Sequence, residues 1–356
     1  MSTSYSKERL VAELAVQRAS ILTKRVLSMV NKGLLSKTDS TPVTIADFAA
    51  QALLISAIHQ AFPTDRFVGE EDSDVLRRDE VLKQSVWELV YTTHLEDAQN
   101  EAVLASPKSV EEMLDIIDLG GRGTGGREGR VWVLDPVDGT ATFLRGEQYA
   151  VALALVEDGE EKVGVLGCPN LSLDTGRVSE ASTDKDGLGI MLSAVKGEGA
   201  VMRSMGKGSL LPANEIERPK DDSMNLKDLH FINSTTSSSL SIDKQRRVVE
   251  EVGASWPGTD LWSSQMRYVA LIVGGGDFYL RIPVRKTQRS YVWDHAGGHL
   301  IFKEVGGKIT DLDGKEIDFG AGRTMAENWG MVAANESIHP IMLEIVGRLV
   351  KEDSKE

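Results

Sequence analysis

A single cysteine, Cys168, stands in 356 residues, which excludes an internal disulfide and any zinc site built on thiolates. Prolines number only 10, too few for a Pro-rich disordered or fibrous chain. Histidines number only six, which argues further against zinc. Positive charge is also short: 40 Lys plus Arg against 54 Asp plus Glu leave a formal net charge of −14. Nucleic acid and anionic membrane surfaces are therefore disfavoured as partners. No run of the ~18 apolar residues that span a bilayer is expected. The start, Met1 to Arg9, enters a polar helical pattern without a secretory core. A soluble, cytoplasmic protein is expected, with the sequons at Asn170, Asn233 and Asn335 unused.

What is present is globular: 41% hydrophobic and 26% charged residues. The length suggests two domains or one large α/β unit. Residues 8 to 30 carry a helical stripe through Val11, Leu14, Leu22 and Val26. Thr44-Ile-Ala-Asp47 reads as a capping box opening a second helix that ends before Phe62-Pro63. Strands are expected at Arg66 to Gly69, Arg130 to Asp135, Tyr149 to Val156 and Val163 to Gly167. Residues 73–118 read as mostly helical, and 173–190 and 203–228 as loops. Later strands at 229–233, 278–282 and 330–334 alternate with helical patterns at 243–252, 263–274, 294–305 and 337–351. The expected organisation is an α+β N-terminal half, residues 1–165, and an α/β C-terminal half, 166–356.

Gly121-Arg-Gly123-Thr-Gly-Gly126 fits the spacing of a dinucleotide-binding loop. That motif needs a strand before it and a helix after it, and here the order is reversed. A flexible glycine loop is the better reading. The informative segment is Asp135-Pro136-Val137-Asp138-Gly139-Thr140. Two carboxylates at the end of a buried strand, on a Pro/Gly turn, can converge with the Val137 carbonyl on a hard cation. Gly139 and Thr140 then offer backbone N–H groups to an anion. The same residues also suit an ordinary turn. Glu70 follows a short apolar strand, and Asp294 opens a helix amid apolar residues, where an N-cap role is the common one. An acidic set of this kind favours Mg²⁺ or Mn²⁺.

Gly69-Glu70-Glu71, Asp135-Pro-Val-Asp-Gly-Thr140 and Trp293-Asp294-His-Ala-Gly-Gly298 resemble the three signatures of the lithium-sensitive, Mg²⁺-dependent inositol monophosphatase superfamily. Ser40 to Asp47, Gly125 to Arg130, Phe143 to Tyr149, Gly167 to Asn170 and Tyr279 to Pro283 are similar to the 3′(2′),5′-bisphosphate nucleotidases, fungal ones above all. The resemblance spans residues 8 to about 335.

It implies a layered α/β/α/β/α sandwich with the metals where its two halves meet. Glu70, Asp135 and the Val137 carbonyl would hold one Mg²⁺; Asp135, Asp138 and Asp294 a second; a third, looser ion would lean on Glu70. Asp47, paired with the Thr140 hydroxyl, would take a proton from the attacking water. Gly139, Thr140, Ser264, Arg267, Arg281 and Asp294 would bind substrate. The implied reaction converts adenosine 3′,5′-bisphosphate (PAP) to AMP, with the sulfated analogue PAPS as a further substrate. The alternatives are an inositol phosphate or other small-metabolite phosphatase, and a non-catalytic nucleotide sensor. The chain departs from its relatives at Arg267, where Lys is usual, at Ala141-Thr142, and in Thr235 to Ser241, which lacks a base-facing His. The sequence leaves oligomeric state open.

Overall fold

Alternating side chains along the strands set the layering of this molecule. The computed structural model describes residues 5–32, 41–174, 176–217, 225–235 and 237–353. Among them, one seven-stranded sheet holds β1 (Arg66–Gly69), β2 (Arg130–Asp138), β3 (Ala150–Glu157), β4 (Glu160–Cys168), β5 (Ile190–Val195), β6 (Ala200–Ser204) and β7 (Asn214–Glu215), adjacent in chain order. Only the β1–β2 pair is parallel. A second sheet holds β8 (Phe231–Asn233), β9 (Thr259–Asp260), β10 (Phe278–Arg281), β11 (Gly307–Thr310) and β12 (Met331–Asn335), in the order β11-β12-β10-β8-β9. The helices are α1 (Ser6–Asn31), α2 (Thr41–Ala61), α3 (Asp74–Arg78), α4 (Glu80–Thr92), α5 (Ala98–Glu101), α6 (Val110–Gly121), α7 (Thr140–Arg145), α8 (Ile242–Val252), α9 (Ser264–Val273), α10 (Ala296–Glu304) and α11 (His339–Asp353).

Trp132, Leu134, Leu153 and Leu155 share a buried cluster with Leu14 and Leu22 of α1 and Leu53 and Leu54 of α2. Their neighbours Val131, Val133, Ala152 and Ala154 join α9 and α10 through Met266, Val269, Leu300 and Ile301. That middle layer also takes Ile232, Tyr279 and Ala333 from the second sheet. Phe231, Phe278, Val332 and Ala334 belong instead with Val248 of α8 and Met342 and Val346 of α11. The order is helix, sheet, helix, sheet, helix, the expected α/β/α/β/α sandwich. Each fully buried Val, Leu, Ile, Phe or Met among them is worth about 1.5–3 kcal/mol relative to exposure.

Three expectations change. Helix α2 already includes Thr41, so Thr44 lies inside the first turns and does not open a capping box. α2 is also 21 residues long and apolar enough to cross a bilayer by length and composition, contrary to the expected absence of such a run. It is a core helix, buried from Ile45 to Ile58. Position 165 falls within β4, and the first sheet runs on to Glu215. The passage from one sheet to the other therefore comes between Glu215 and Phe231, not at 165.

Candidate active site

The Asp135–Asp138 pair depends on an irregularity in β2. In a regular strand, residues three apart point to opposite faces. Here the β2–β3 register shifts between Asp135 and Asp138, leaving Pro136 and Val137 outside the ladder. Pro136 has no N–H to donate, and the Val137 N–H turns back onto Asp135 Oδ1 at 3.1 Å. A bulge of this kind re-aims side chains. It brings Asp135 and Asp138 together with Asp294, one ligand atom from each lying within 4.8 Å of the others. The next residue, Gly139, sits at φ 107°. A Cβ there would lie 2.8 Å from Thr142 Oγ1 and 3.0 Å from Ser263 Cβ, so glycine is required on both counts.

Asp138 is held at the start of α9. Its Oδ2 accepts from the Ser263 hydroxyl at 2.6 Å and the Gln265 N–H at 2.5 Å, and its Oδ1 from the Ser264 N–H at 3.2 Å. Gln265 reaches further: its side-chain amide donates to the Trp293 carbonyl at 2.9 Å and accepts from the Gly298 N–H at 3.0 Å. It thus ties Asp138 to both flanks of Asp294. His295, not Asp294, occupies the N-cap position of α10. The Asp294 carboxyl therefore has no capping role here.

Six carboxyls hold protons more tightly than usual, burial first and, for most of them, neighbouring acids second. Burial, then Glu71 and Glu70, push Asp47 well above the usual carboxylate range, and its Oδ1 has no hydrogen-bond partner. Burial, Glu70, Asp138, Asp294 and Asp47 do the same to Asp135. Desolvation with Glu71 and Asp138 raises Glu70 to about 7, and burial with Asp72 raises Glu71 to about 7. Asp294 is raised to about 7 by burial and Asp138, against the pull of Arg281. Asp138 is raised by burial but held back by its three hydrogen bonds and Arg267. Oxygen donors crowded at this cost suit a divalent cation, which would relieve the repulsion.

The other expected residues are distributed around this cluster. Thr140 begins α7 and is exposed; among the described residues no hydrogen bond joins it to Asp47. Ser264 is the first residue of α9. Arg281 ends β10, half-buried, its guanidinium without a hydrogen-bonding partner among the described residues. Arg267 is turned inward, 4% exposed. It donates to the Ser263 and Trp262 carbonyls at 3.1 and 2.9 Å, the Tyr279 hydroxyl at 2.7 Å and Ser264 Oγ at 3.3 Å. Four of the five N–H groups of its guanidinium are thus directed at protein, which corrects the expectation of a substrate-facing side chain. Sequence reasoning missed Gln265 and Ser263, and quoted Glu71 within the Gly69-Glu70-Glu71 signature without giving it a role. Only Ser263 left a signal, as a serine before a helical run; it caps α9 through the Met266 N–H at 3.0 Å.

Comparison with known proteins places this geometry. A 3′(2′),5′-bisphosphate nucleotidase of Emericella nidulans is 44% identical over 355 residues, covering 98% of this chain and 99% of the relative. One of Schizosaccharomyces pombe is 40% identical over 355 residues, 98% of each chain. The crystal structure of inositol monophosphatase-II from Staphylococcus aureus superposes with a TM-score of 0.59 at 17% identity, covering 99% of both chains, and so shares the fold. The model of the inositol monophosphatase family matches residues 6–350. With nearly its whole length matched, the chain belongs to the inositol monophosphatase family.

Proposed function

We propose that this protein is a divalent-cation-dependent phosphatase that removes the 3′-phosphate of PAP to leave AMP, and that PAPS is also accepted. The observation that carries the substrate is the near-full-length similarity to two fungal bisphosphate nucleotidases. The carboxylate cluster supports the chemistry.

Glu70, Asp135, the Val137 carbonyl, Asp138 and Asp294 would hold Mg²⁺ or Mn²⁺, in two sites with a third, looser one at Glu70. Bound there, the ions would neutralise phosphate charge and activate water for in-line attack. Asp47 is the base: its buried, unpartnered Oδ1 takes the water's proton, and Thr140 would be its partner from α7, a helix that packs against α2. Gly139 and Thr140 present backbone N–H groups to the phosphate. Arg281 supplies a guanidinium suited to a phosphate. Ser264 lines the nucleotide side, and Arg267 acts through it, holding its hydroxyl from within. Local positive charge of this kind is what a −14 chain needs to admit a polyanion. We further propose a cytoplasmic setting, where the buried thiol of Cys168 stays reduced.

A phosphate-release panel over PAP, PAPS, inositol phosphates and sugar phosphates tests the reading. PAP should lead it. A chain that turned over an inositol phosphate and left PAP untouched would refute it.

A further inference from the structure

We propose that Arg323 is a positioning residue that holds the two acid-bearing segments, Gly69–Glu70 and Trp293–Asp294, at the spacing the carboxylate cluster requires. Arg323 lies between β11 and β12 in the second half of the chain, far in sequence from both. Its guanidinium donates to the Gly69 carbonyl at 2.8 Å, and to the Gly123 and Gly120 carbonyls at 2.9 and 3.1 Å. Gly69 is the residue immediately before Glu70. The same guanidinium lies over the Trp293 ring, 4.7 Å from its centroid, and Trp293 is immediately before Asp294. The backbone joins in: the Arg323 carbonyl accepts from the Val292 N–H at 3.0 Å, and Thr324 bridges to Tyr291. Tyr291 stacks on Trp293 at 4.5 Å and 7°.

One arginine therefore grips the segment before Glu70 by its side chain and the segment before Asp294 by both side chain and backbone. The glycine loop after α6 takes part in this arrangement. A Cβ on Gly123 would meet the Phe67 carbonyl at 1.8 Å, so only glycine lets that loop lie against β1 and aim its carbonyls at Arg323. A planar fork that bonds three carbonyls while stacking on an indole is a task lysine does not duplicate.

The inference rests on the reading of Glu70 and Asp294 as cation ligands, and the test separates the two. Mg²⁺ is titrated into metal-free wild type, Arg323→Met and Arg323→Lys, reading the rise in melting temperature and, in parallel, PAP hydrolysis. Residues that orient ligands from behind are worth about 10–100-fold in metal affinity. Half-saturating Mg²⁺ should rise about ten-fold or more in both variants by both readouts, with KM for PAP at saturating Mg²⁺ little changed. A smaller rise overturns the positioning role, even if the melting temperature without metal falls, since that is what a merely structural residue does. Recovery by lysine to the wild-type value also overturns it. If the methionine variant does not fold, the lysine variant carries the test. Wild type that fails to respond to Mg²⁺ at all refutes the ligand reading itself, and the inference with it.

Discussion

Replacing Asp294 with asparagine should stabilise the metal-free protein while removing its activity. Asp294 is half-buried and raised from its ordinary 3.8 to about 7, first by burial and then by Asp138. A carboxyl raised on folding binds more protons in the native state than in the unfolded chain between those two values. Stability is therefore lost as pH rises through that window, the reverse of a salt-bridged carboxylate. About three pKa units at roughly 1.36 kcal/mol each give a ceiling near 4 kcal/mol at pH 8. The asparagine variant carries no such penalty at any pH. With an unfolding entropy of about 2.1 cal/mol/K per residue, 356 residues give about 0.75 kcal/mol/K, so the variant should melt up to about 5 °C higher. The buried histidines His295 and His339, which titrate the other way, cancel in the comparison of variant with wild type. Calorimetry without metal should show almost no difference near pH 4, a gap that opens toward pH 7, and a plateau above it. Saturating Mg²⁺ should reverse the order. A variant no more stable than wild type at pH 8, or a gap equal at both pH values, would refute the argument.

Asp47→Asn keeps the size of the side chain and removes the proton acceptor, so kcat on PAP should fall about 10²-fold or more with modest change in KM; steady-state kinetics decide it. Gly139→Ala places a methyl in a strained, occupied position and should cost about 1–3 kcal/mol, read from denaturant melts. Excess EDTA should abolish phosphate release, Mg²⁺ should restore it, and Li⁺ should inhibit it. Full activity in EDTA would end the metal reading.

Much of this architecture was legible because it rests on local pattern. The apolar runs at Arg130 to Asp135 and Ala150 to Val156 are buried on both faces, and read as strands for that reason. The short strand Gly307–Thr310 escaped notice because two of its four residues are glycine and lysine. Thr44 was misread because a Ser/Thr followed three residues later by an acid also occurs inside helices, and α2 starts earlier. The acids of the site stood out by type and by the Pro/Gly turn that carries two of them. How Asp135 and Asp138 come to face one point did not, because a register shift depends on pairing with β3. Gln265 and Arg323 were invisible for a related reason. Their side chains hydrogen-bond backbone carbonyls and N–H groups, which every residue carries, so no complementary polar side chain marks them in the sequence. Arg267 misled in the opposite direction: a cation near a phosphate site invites a substrate role, and only packing shows that it faces Tyr279 and the backbone.

The most direct test is to ask which phosphate leaves. Purified protein with Mg²⁺ is given PAP, and the products are separated by chromatography against 5′-AMP and 3′-AMP standards, with an EDTA control. Stoichiometric 5′-AMP and inorganic phosphate with Mg²⁺, and intact PAP with EDTA, are the predicted result. Formation of 3′-AMP, or PAP left intact in the presence of Mg²⁺, would contradict it.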